Sequence, residues 1–360
     1  MQKLGLLLFA WIELIKAGMF RYSRYRRERR SMLSRVASKG VKLTKNEKKE
    51  IEHLYNSYFK TDGVAHTFYK QVTGVFDAYY LPDYIYYCYV DPFYNDWTLA
   101  KKVDNKCYYP FLFSDVPQPL LLFRKQDGFW YDRDNKIITF EKVIDFFRTH
   151  SIEVFVKLAA DSCQGAGVTC FNSETDSMDV LIQRIKLDND YVIQEAVKQH
   201  EILSSINKSS VNTIRVLTFL RSCGEARVLS SCLRMGRNGS RVDNASAGGI
   251  TVGITDNGHL KSVAYTKYGE PYTKHPDSGV KFKDILLPNY EQVIDLVKKQ
   301  TVKFSRFRLI SWDIAIDERG NPILIEANLC YGDLDFHQIN NGPIFKDLMK
   351  EILEEVFEKK

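Results

Sequence analysis

The sequence predicts an α+β protein in which a helical N-terminal region precedes two mixed lobes. Three observations predict this class: helical patterns fill residues 1–95, short β-like runs alternate with helices from residue 96, and no repeat or low-complexity linker interrupts the chain. We therefore expect a helical region at 1–95, a small lobe at 96–195 and a large lobe at 196–360.

Composition and charge restrict the class of protein. The 360 residues are 44% hydrophobic and 27% charged, which is an ordinary globular composition. The net charge of +6 lies largely in residues 21–49, and no basic-aromatic signature accompanies it, so we expect no nucleic-acid partner. The seven cysteines form no CxxC and no Cys/His ligand spacing, which favours a reducing cytoplasm and argues against structural zinc.

The first 20 residues, MQKLGLLLFAWIELIKAGMF, are the segment most similar to a targeting signal. Glu13 and Lys16 interrupt it, no small-residue cleavage site follows, and the apolar run is shorter than the ~18 residues that span a bilayer. We predict an amphipathic helix followed by the basic stretch RYSRYRRERR. Two placements are open: contact with an anionic membrane surface at the inner face of the membrane, or packing on the body of the protein.

The helical region contains one explicit start signal. Thr44 and Glu47 form a capping-box pattern that predicts a helix to about Lys60, and a second helix is predicted at 64–76. The tyrosine-dense stretch at 79–94 carries no assignable chemistry, so we expect it to pack.

The small lobe is predicted from short β-like runs at 120–124, 129–132 and 137–140. A helix at 141–149, a strand at 153–158, a loop, a helix at 178–185 and a strand at 191–194 complete it.

The large lobe begins with strands at 211–220 and 226–235, which pair across a Cys-Gly-Glu turn. A polar, glycine-bearing segment follows. A helix at 290–302 then precedes a hairpin, and a helix from 344 closes the chain.

The hairpin at 309–328, LISWDIAIDERGNPILIEAN, is the most informative stretch. Two apolar, β-rich runs flank the turn formers ERGN, so an antiparallel pair is expected. A turn centred between Arg319 and Gly320 places Asp313 opposite Glu326, and Asn328 two residues further along the same face.

Two opposed carboxylates repel each other, and a cation would offset the repulsion. Carboxylate and carboxamide oxygens suit Mg²⁺ or Mn²⁺. The alternative is a hairpin whose polar face is merely solvated. The neighbouring Trp312, Ile314, Leu324 and Ile325 imply a buried ribbon, on which a charged face needs a partner.

A lysine and a glycine-bearing loop form a second group. Lys157 lies on a strand before the loop DSCQGAG at 161–167. Glycines allow backbone N–H groups to approach phosphate oxygens, and the lysine adds a point charge. A simple β-turn is the alternative. The lysine precedes the loop, no HRD or DFG follows, and GxxxxGK[ST] is absent, so neither a protein kinase nor a P-loop is favoured.

The segment Gln194-Glu195-Ala196-Val197 follows an apolar strand. Its backbone could contact an adenine edge while the carboxylate binds ribose hydroxyls. The alternative is that Glu195 is an ordinary surface residue.

Two arginines on predicted strands form a third group. The planar guanidinium groups of Arg215 and Arg234 match phosphate or carboxylate oxygens. Arg215 alternates with apolar residues, and the alternative is that it faces water. The polar segment after Arg234, MGRNGSRVDNASAGGI, contains Asn244, Gly248 and Gly249.

The order of these parts, a lysine with a glycine loop, a hinge, arginines and a terminal D…E-x-N hairpin, resembles the ATP-grasp superfamily. Within it, the sequence is similar to the sugar-transfer associated or polysaccharide-biosynthesis branch, over about residues 96–342. The segments that carry the resemblance are SVNTIRVLTF, RMGRNGSRVDNASAGGI and WDIAIDERGNPILIEANLCYGDLDFHQ. The resemblance implies two α+β lobes that clasp ATP. The chain departs from the family in its loop, where Ser-Cys-Gln stands in place of the frequent glycines, and in lacking an evident Rossmann-like first domain.

The resemblance also implies roles for individual residues. It implies that Asp313, Glu326 and Asn328 bind Mg²⁺ or Mn²⁺. Nucleotide binding falls to Lys106, Lys157, Ser162, Gln164, Gly165, Gly167, Gln194, Glu195, Ala196 and Val197. Catalytic roles fall to Arg234, Arg215 and Lys157, and acceptor contacts fall to Asn244, Gly248, Gly249 and His337.

The implied reaction is ATP-dependent ligation. A carboxylate attacks the γ-phosphate of ATP to give an acyl phosphate and ADP, and an amine or similar nucleophile then displaces phosphate. We expect small-molecule substrates, sugar-derived among the options, in surface polysaccharide or capsule synthesis. The altered loop and basic N-terminus also fit a non-catalytic ATP-binding scaffold or sensor. A sugar transferase with a DxD metal site is disfavoured because the sequence lacks a DxD motif near a Rossmann-like first half.

Overall fold

The computed structural model describes residues 2–36, 40–160, 167–185, 189–241 and 248–358, with side chains from residue 18. The chain divides into two compact units: Met1–Asn95 with Asp333–Lys360, and Asp96–Gly332. Within the described residues, no helix is long and apolar enough to cross a membrane.

The α-helices in chain order are α1 (Gln2–Val36), α2 (Lys45–Tyr55), α3 (Val64–Thr73), α4 (Asp83–Ile85), α5 (Asp91–Tyr94), α6 (Trp97–Val103), α7 (Tyr109–Leu112), α8 (Phe140–Thr149), α9 (Met178–Ile185), α10 (Glu201–Ile206), α11 (Tyr290–Thr301), α12 (Asp335–Asn341) and α13 (Met349–Phe357).

The strands are β1 (Leu121–Gln126), β2 (Phe129–Asp132), β3 (Ile137–Ile138), β4 (Glu153–Leu158), β5 (Val168–Asn172), β6 (Tyr191–Glu195), β7 (Thr213–Leu220), β8 (Ala226–Met235), β9 (Ile250–Ile254), β10 (Leu260–Thr266), β11 (Pro271–Tyr272), β12 (Leu309–Ile316) and β13 (Pro322–Asn328). The predicted α+β class is confirmed.

The first unit is helical, as the sequence predicts. The capping box is confirmed, since the Thr44 side chain accepts from the backbone of Glu47 and the Glu47 carboxylate accepts from the backbone of Thr44. Helix α2 ends at Tyr55 and not near Lys60. Helix α3 ends at Thr73 because Gly74 follows in the left-handed region, with φ of +76°.

Helix α1 continues without a break through the basic stretch, over 35 residues. Part of this stretch packs on the body of the first unit. The Arg21 guanidinium lies 5.4 Å from the Tyr89 ring centre, and the buried Arg24 lies 5.5 Å from that of Tyr87. The tyrosine-dense segment therefore serves as a packing surface for arginines of α1.

Residues 333–360 belong to the first unit, whereas the sequence analysis assigns them to the large lobe. The physical reason is a set of long-range hydrogen bonds. The Gln338 side chain accepts from the Leu81 amide at 3.0 Å and donates to the Leu81 carbonyl at 2.9 Å. Tyr94 donates to the Glu355 carboxylate at 3.0 Å.

The second unit contains two antiparallel sheets. The smaller has the strand order β3-β2-β1-β6-β4-β5, and one face packs on apolar side chains of α8 and α9, such as Phe147 and Leu181. The larger has the order β11-β10-β9-β8-β7-β12-β13. Its core face includes Trp312 and packs on Val293 and Val297 of α11. Strand β13 is therefore an edge strand.

Candidate nucleotide and metal site

The terminal hairpin has the predicted pairing at Asp313, but its turn is centred on Arg319, since Ile316 pairs with Pro322. Asp313 pairs with Glu326, and Ser311 pairs with Asn328. A register shift follows Asp313, because Ile314 pairs with Leu324. Asp313, Glu326 and Asn328 therefore lie on one face of the hairpin, as predicted.

The register extends across the larger sheet in one row. Glu326 neighbours Asp313, Asp313 neighbours Arg215, Arg215 neighbours Cys232, and Cys232 neighbours Gly253. Directly opposed residues project to the same face of a sheet. Three adjacent strands, β13, β12 and β7, thus bring both carboxylates and the Arg215 guanidinium to one face, which is opposite to the face that packs on α11.

The Asp313 carboxylate is buried and binds two arginines. Its Oδ1 accepts from Arg215 Nε at 2.6 Å, and its Oδ2 accepts from Arg215 Nη2 at 2.6 Å and from Arg234 Nη1 at 2.9 Å. Burial opposes ionisation, but the two guanidinium groups outweigh it and lower the pKa of Asp313 to about 2. Arg215 is buried, which excludes the alternative that it faces water.

The Glu326 carboxylate binds a lysine from outside the sheet. Lys106 Nζ lies 2.8 Å from Glu326 Oε1. Burial lowers the pKa of Lys106, but the neighbouring carboxylates, Glu326 foremost, together have a larger effect in the opposite direction. The pKa of Lys106 is therefore raised. The Lys106 backbone amide donates to the Ala159 carbonyl at 2.7 Å, just beyond the end of β4.

The donor set is compatible with a hard divalent cation. Asn328 Nδ2 donates to the Ser311 carbonyl at 3.1 Å, which leaves the amide oxygen of Asn328 as its acceptor atom. Each carboxylate oxygen has two acceptor positions, and Asp313 Oδ1 accepts one hydrogen bond from Arg215. Among the described residues, no group of three or more His, Cys, Asp or Glu side chains could hold a metal, so the candidate set consists of two carboxylates and the amide oxygen of Asn328. A cation here would compete with the three basic side chains.

Lys157 lies on β4, next to the predicted hinge. Its Nζ donates to Gln194 Oε1 at 3.0 Å, from the neighbouring strand β6. Gly167 has φ of +87°, and a Cβ there would overlap the Leu158 side chain, so this position requires glycine. Ser162, Gln164 and Gly165 of the loop lie outside the described residues.

Part of the hinge backbone is already hydrogen-bonded. The Glu195 amide donates to the Leu120 carbonyl at 2.9 Å, and the Ala196 amide donates to the Glu153 carbonyl at 3.0 Å. These bonds fix the end of β6 within the smaller sheet. The amides of Glu195 and Ala196 thus donate within the second unit, and the next predicted hinge amide along the chain is that of Val197.

Two of the four predicted acceptor residues, Gly248 and Gly249, are described residues of the second unit. Asn244 lies outside the described residues. Gly248, with φ of +95°, precedes Gly249 and β9, and its carbonyl accepts from Arg237. His337 is buried on α12 and belongs to the other unit.

Tyr109 is the main residue of this site that the sequence analysis does not single out. Its hydroxyl accepts from the Ala327 amide at 3.1 Å and donates to the Ala327 carbonyl at 3.2 Å. Ala327 stands between Glu326 and Asn328. No local sequence signal indicates this contact, because Tyr109 and Ala327 are 218 positions apart.

The family model described as sugar-transfer associated ATP-grasp matches residues 89–354. A search of curated proteins finds no match.

Solved structures with similar folds include ligases and synthetases. D-alanyl-alanine synthetase A from Vibrio cholerae is 15% identical with a TM-score of 0.40, and the match covers 71% of this chain and 64% of that one. D-cycloserine synthetase DcsG is 11% identical with a TM-score of 0.44, covering 71% and 72%. The ATP-grasp ligase PsnB with its minimal precursor is 15% identical with a TM-score of 0.40, covering 73% and 64%. The chain thus spans 64% of the length of the first and third, and similarities this distant carry no argument about activity.

Proposed function

The chain belongs to the sugar-transfer associated ATP-grasp family, and on that premise we propose that it is an ATP-dependent ligase that joins a carboxylate to an amine. The observation that carries the proposal is the cross-strand pair Asp313 and Glu326, flanked by Asn328 and by the cations of Arg215 and Lys106. This face offers oxygen ligands for a cation and positive charge for phosphates. The family name supports a sugar-derived substrate and a role in surface polysaccharide or capsule synthesis.

We assign nucleotide binding to Lys106, Lys157 and the hinge. Lys157 and Lys106 would neutralise phosphate oxygens, together with the backbone of the loop at 161–167. The Val197 amide and the hinge carbonyls would contact adenine, because the amides of Glu195 and Ala196 bond within the sheet.

Asp313, Glu326 and Asn328 would hold Mg²⁺ or Mn²⁺. When bound, the cation supplies charge neutralisation at the β- and γ-phosphates of ATP. In the absence of a cation, Lys106 neutralises Glu326 and the two arginines neutralise Asp313. With the cation bound, these basic side chains are able to bind phosphate or substrate oxygens. Exchange of ionic partners is therefore inherent in this arrangement.

The chemistry has two displacements. An oxygen of the acceptor carboxylate forms a bond to the γ-phosphorus while the bond from that phosphorus to ADP breaks. The amine nitrogen then bonds to the acyl carbon, inorganic phosphate leaves with the C–O electron pair, and the amine releases a proton. Asp313 orients Arg215 and Arg234, and we assign Arg234 to the transferring phosphoryl group, a role worth roughly 2.7–4 kcal/mol per donor.

The test is acceptor-dependent ADP release. The chain is incubated with ATP, Mg²⁺ and pools of amino acids, amino sugars and uronic acids, and mass spectrometry seeks a product lighter by one water than the summed reactants. Asp313→Ala and Glu326→Ala should abolish release. Glu318→Gln is the matched control, since Glu318 is exposed on the turn of the same hairpin. Undiminished release from either alanine variant would contradict the assignment.

A non-catalytic ATP-binding scaffold or sensor of a polysaccharide assembly system is the second candidate. The observation that favours it is the pairing of Asp313 with two buried arginines, with which a metal would compete. It predicts that calorimetry detects ATP binding while no pool stimulates ADP release. Product formation with any pool would exclude it.

We also propose peripheral contact with the inner face of an anionic membrane, which places the protein in the cytoplasm. Three large side chains near the middle of α1 are highly exposed: Met19 (68%), Phe20 (60%) and Tyr22 (63%). Exposed Arg26 and Arg30 lie further along the same helix. Apolar groups beside arginines suit an anionic lipid surface.

Vesicle co-sedimentation tests this contact. Vesicles that contain phosphatidylglycerol should retain the chain, and pure phosphatidylcholine vesicles should not. Met19→Ser with Arg26→Glu should abolish retention, whereas Lys101→Glu with Lys102→Glu, at exposed basic positions elsewhere, should not. Equal retention of both double variants would refute the assignment.

A further inference from the structure

The outer edge of β13 has an unusual partner. An edge strand leaves backbone N–H and C=O groups without a neighbouring strand, and proteins cover such edges. At Ala327 a single hydroxyl, that of Tyr109, bonds to both groups, at 3.1 Å from the amide nitrogen and 3.2 Å from the carbonyl oxygen. One side chain therefore substitutes there for a strand.

A tyrosine hydroxyl is suited to this double role because it has one donor and two acceptor positions. Tyr109 is 5% exposed. Burial raises its pKa well above the ordinary value, so the proton needed for the bond to the Ala327 carbonyl stays in place at neutral pH.

The edge segment, residues 106–117, contacts β13 at two further points. Lys106 Nζ bonds to Glu326 at 2.8 Å, and the Pro117 carbonyl accepts from the Leu324 amide at 2.8 Å. The same segment bonds to the smaller sheet through the Lys106 amide and the Ala159 carbonyl. The edge segment thus connects the end of β4 to the strand that carries the predicted metal ligands.

The position of Ala327 gives this contact its significance. Side chains alternate along a strand, so Glu326 and Asn328 project to one face while Ala327 projects into the core. Rotation of the backbone at Ala327 would turn both neighbouring side chains. A bond to its amide and its carbonyl holds both in register.

We propose that Tyr109 is a positioning residue for the divalent-cation site, acting through the Ala327 backbone on Glu326 and Asn328. This inference rests on the proposed function, because it assumes that those two residues hold the cation. Partners that orient metal ligands typically contribute 10–100-fold to metal affinity, so Tyr109→Phe should weaken cation binding about tenfold at the low end of that range.

The experiment measures Mn²⁺ binding by electron paramagnetic resonance, with a non-hydrolysable ATP analogue present. Tyr109→Phe should raise the Mn²⁺ dissociation constant about tenfold. The matched control is Tyr55→Phe, which also removes a buried hydroxyl bonded to a backbone carbonyl, at 3.1 Å from Tyr80 O. It should lower thermal stability and leave Mn²⁺ affinity unchanged.

Glu326→Gln separates the two possible failures. If Glu326→Gln binds Mn²⁺ normally, the metal assignment in the proposed function is wrong. If Glu326→Gln is weakened and Tyr109→Phe is not, the positioning role is wrong and the assignment stands.

A measurement on the unmodified chain covers the case in which Tyr109→Phe does not fold. Hydrogen exchange at Ala327 should be slow without nucleotide, because its amide bonds to Tyr109, and slower still with Mg²⁺ and the analogue. Exchange at the rate of an exposed amide, or no change on ligand addition, would overturn the proposal.

Discussion

Replacing Asp313 with asparagine removes the negative charge from the centre of the arginine cluster while the side-chain volume stays nearly constant. Arg215 and Arg234 keep only 7% and 8% of their side-chain surface exposed. The amide NH₂ of asparagine would oppose a guanidinium donor. Removing one partner of a buried ion pair typically costs about 3–5 kcal/mol, and we expect Asp313→Asn to lower the free energy of unfolding by about that amount at pH 7.

Protonation of Asp313 makes the free energy of unfolding depend on pH, which gives a second expected magnitude for this residue. Lowering the pKa of Asp313 from 3.8 to about 2 corresponds to about 2.5 kcal/mol of stability. For a carboxyl group with a lowered pKa, this stability is fully present above about pH 4 and is lost as the pH falls through about 2. The stability difference between the parent and Asp313→Asn should therefore shrink across that interval.

Urea denaturation followed by circular dichroism, from pH 7 down to pH 2, measures both quantities. Glu318→Gln, on the exposed turn of the same hairpin, serves as the control and should follow the parent throughout. An Asp313→Asn chain as stable as the parent at pH 7, or a difference that does not change below pH 4, would refute the reasoning.

Three further predictions concern other positions. Lys106→Met removes the ammonium group that we assign to phosphate oxygens of ATP and that bonds to Glu326 in this structure. Calorimetry should show ATP–Mg²⁺ binding weakened about tenfold or more, as expected for loss of a charged hydrogen bond to phosphate. Gly167→Ala forces a Cβ into a left-handed conformation that overlaps a leucine side chain, so its melting temperature should fall, and an unchanged value would contradict the described backbone. Burial and the nearby Asp335 raise the pKa of Asp83 to about 7. Its charge therefore destabilises the fold as the pH rises from about 4 through 7, and Asp83→Asn should raise the melting temperature at pH 8 but not at pH 4.

The hairpin itself could be predicted because an antiparallel pair across a short turn depends on local chemistry. The ERGN turn predicts the antiparallel pair, but the pairs next to the turn, such as Ile316 with Pro322, would by themselves place Asp313 opposite Ile325. The register shift after Asp313 brings Glu326 opposite it instead. The capping box at Thr44 and the bounds of β4 and α9 are local in the same sense.

The surroundings of the carboxylates could not be predicted, because they depend on long-range register. The alternation around Arg215 identifies a face but does not show that β7 lies beside β12, where that arginine bonds to Asp313. The Tyr109 hydroxyl bonds to the backbone of a residue 218 positions away, and no local pattern indicates such a bond. Residues 333–360 join the N-terminal helices through side chains such as Gln338, whose partner at Leu81 is equally remote.

Acceptor-dependent ADP release from the unmodified chain, compared with Asp313→Asn and Glu326→Gln, tests the central claim most directly. The account predicts release that requires ATP, Mg²⁺ and at least one carboxylate–amine pool, and that is lost in both variants while Glu318→Gln retains it. Release that is absent with every pool, or that persists in either site variant, would contradict the claim that this sheet face catalyses ligation.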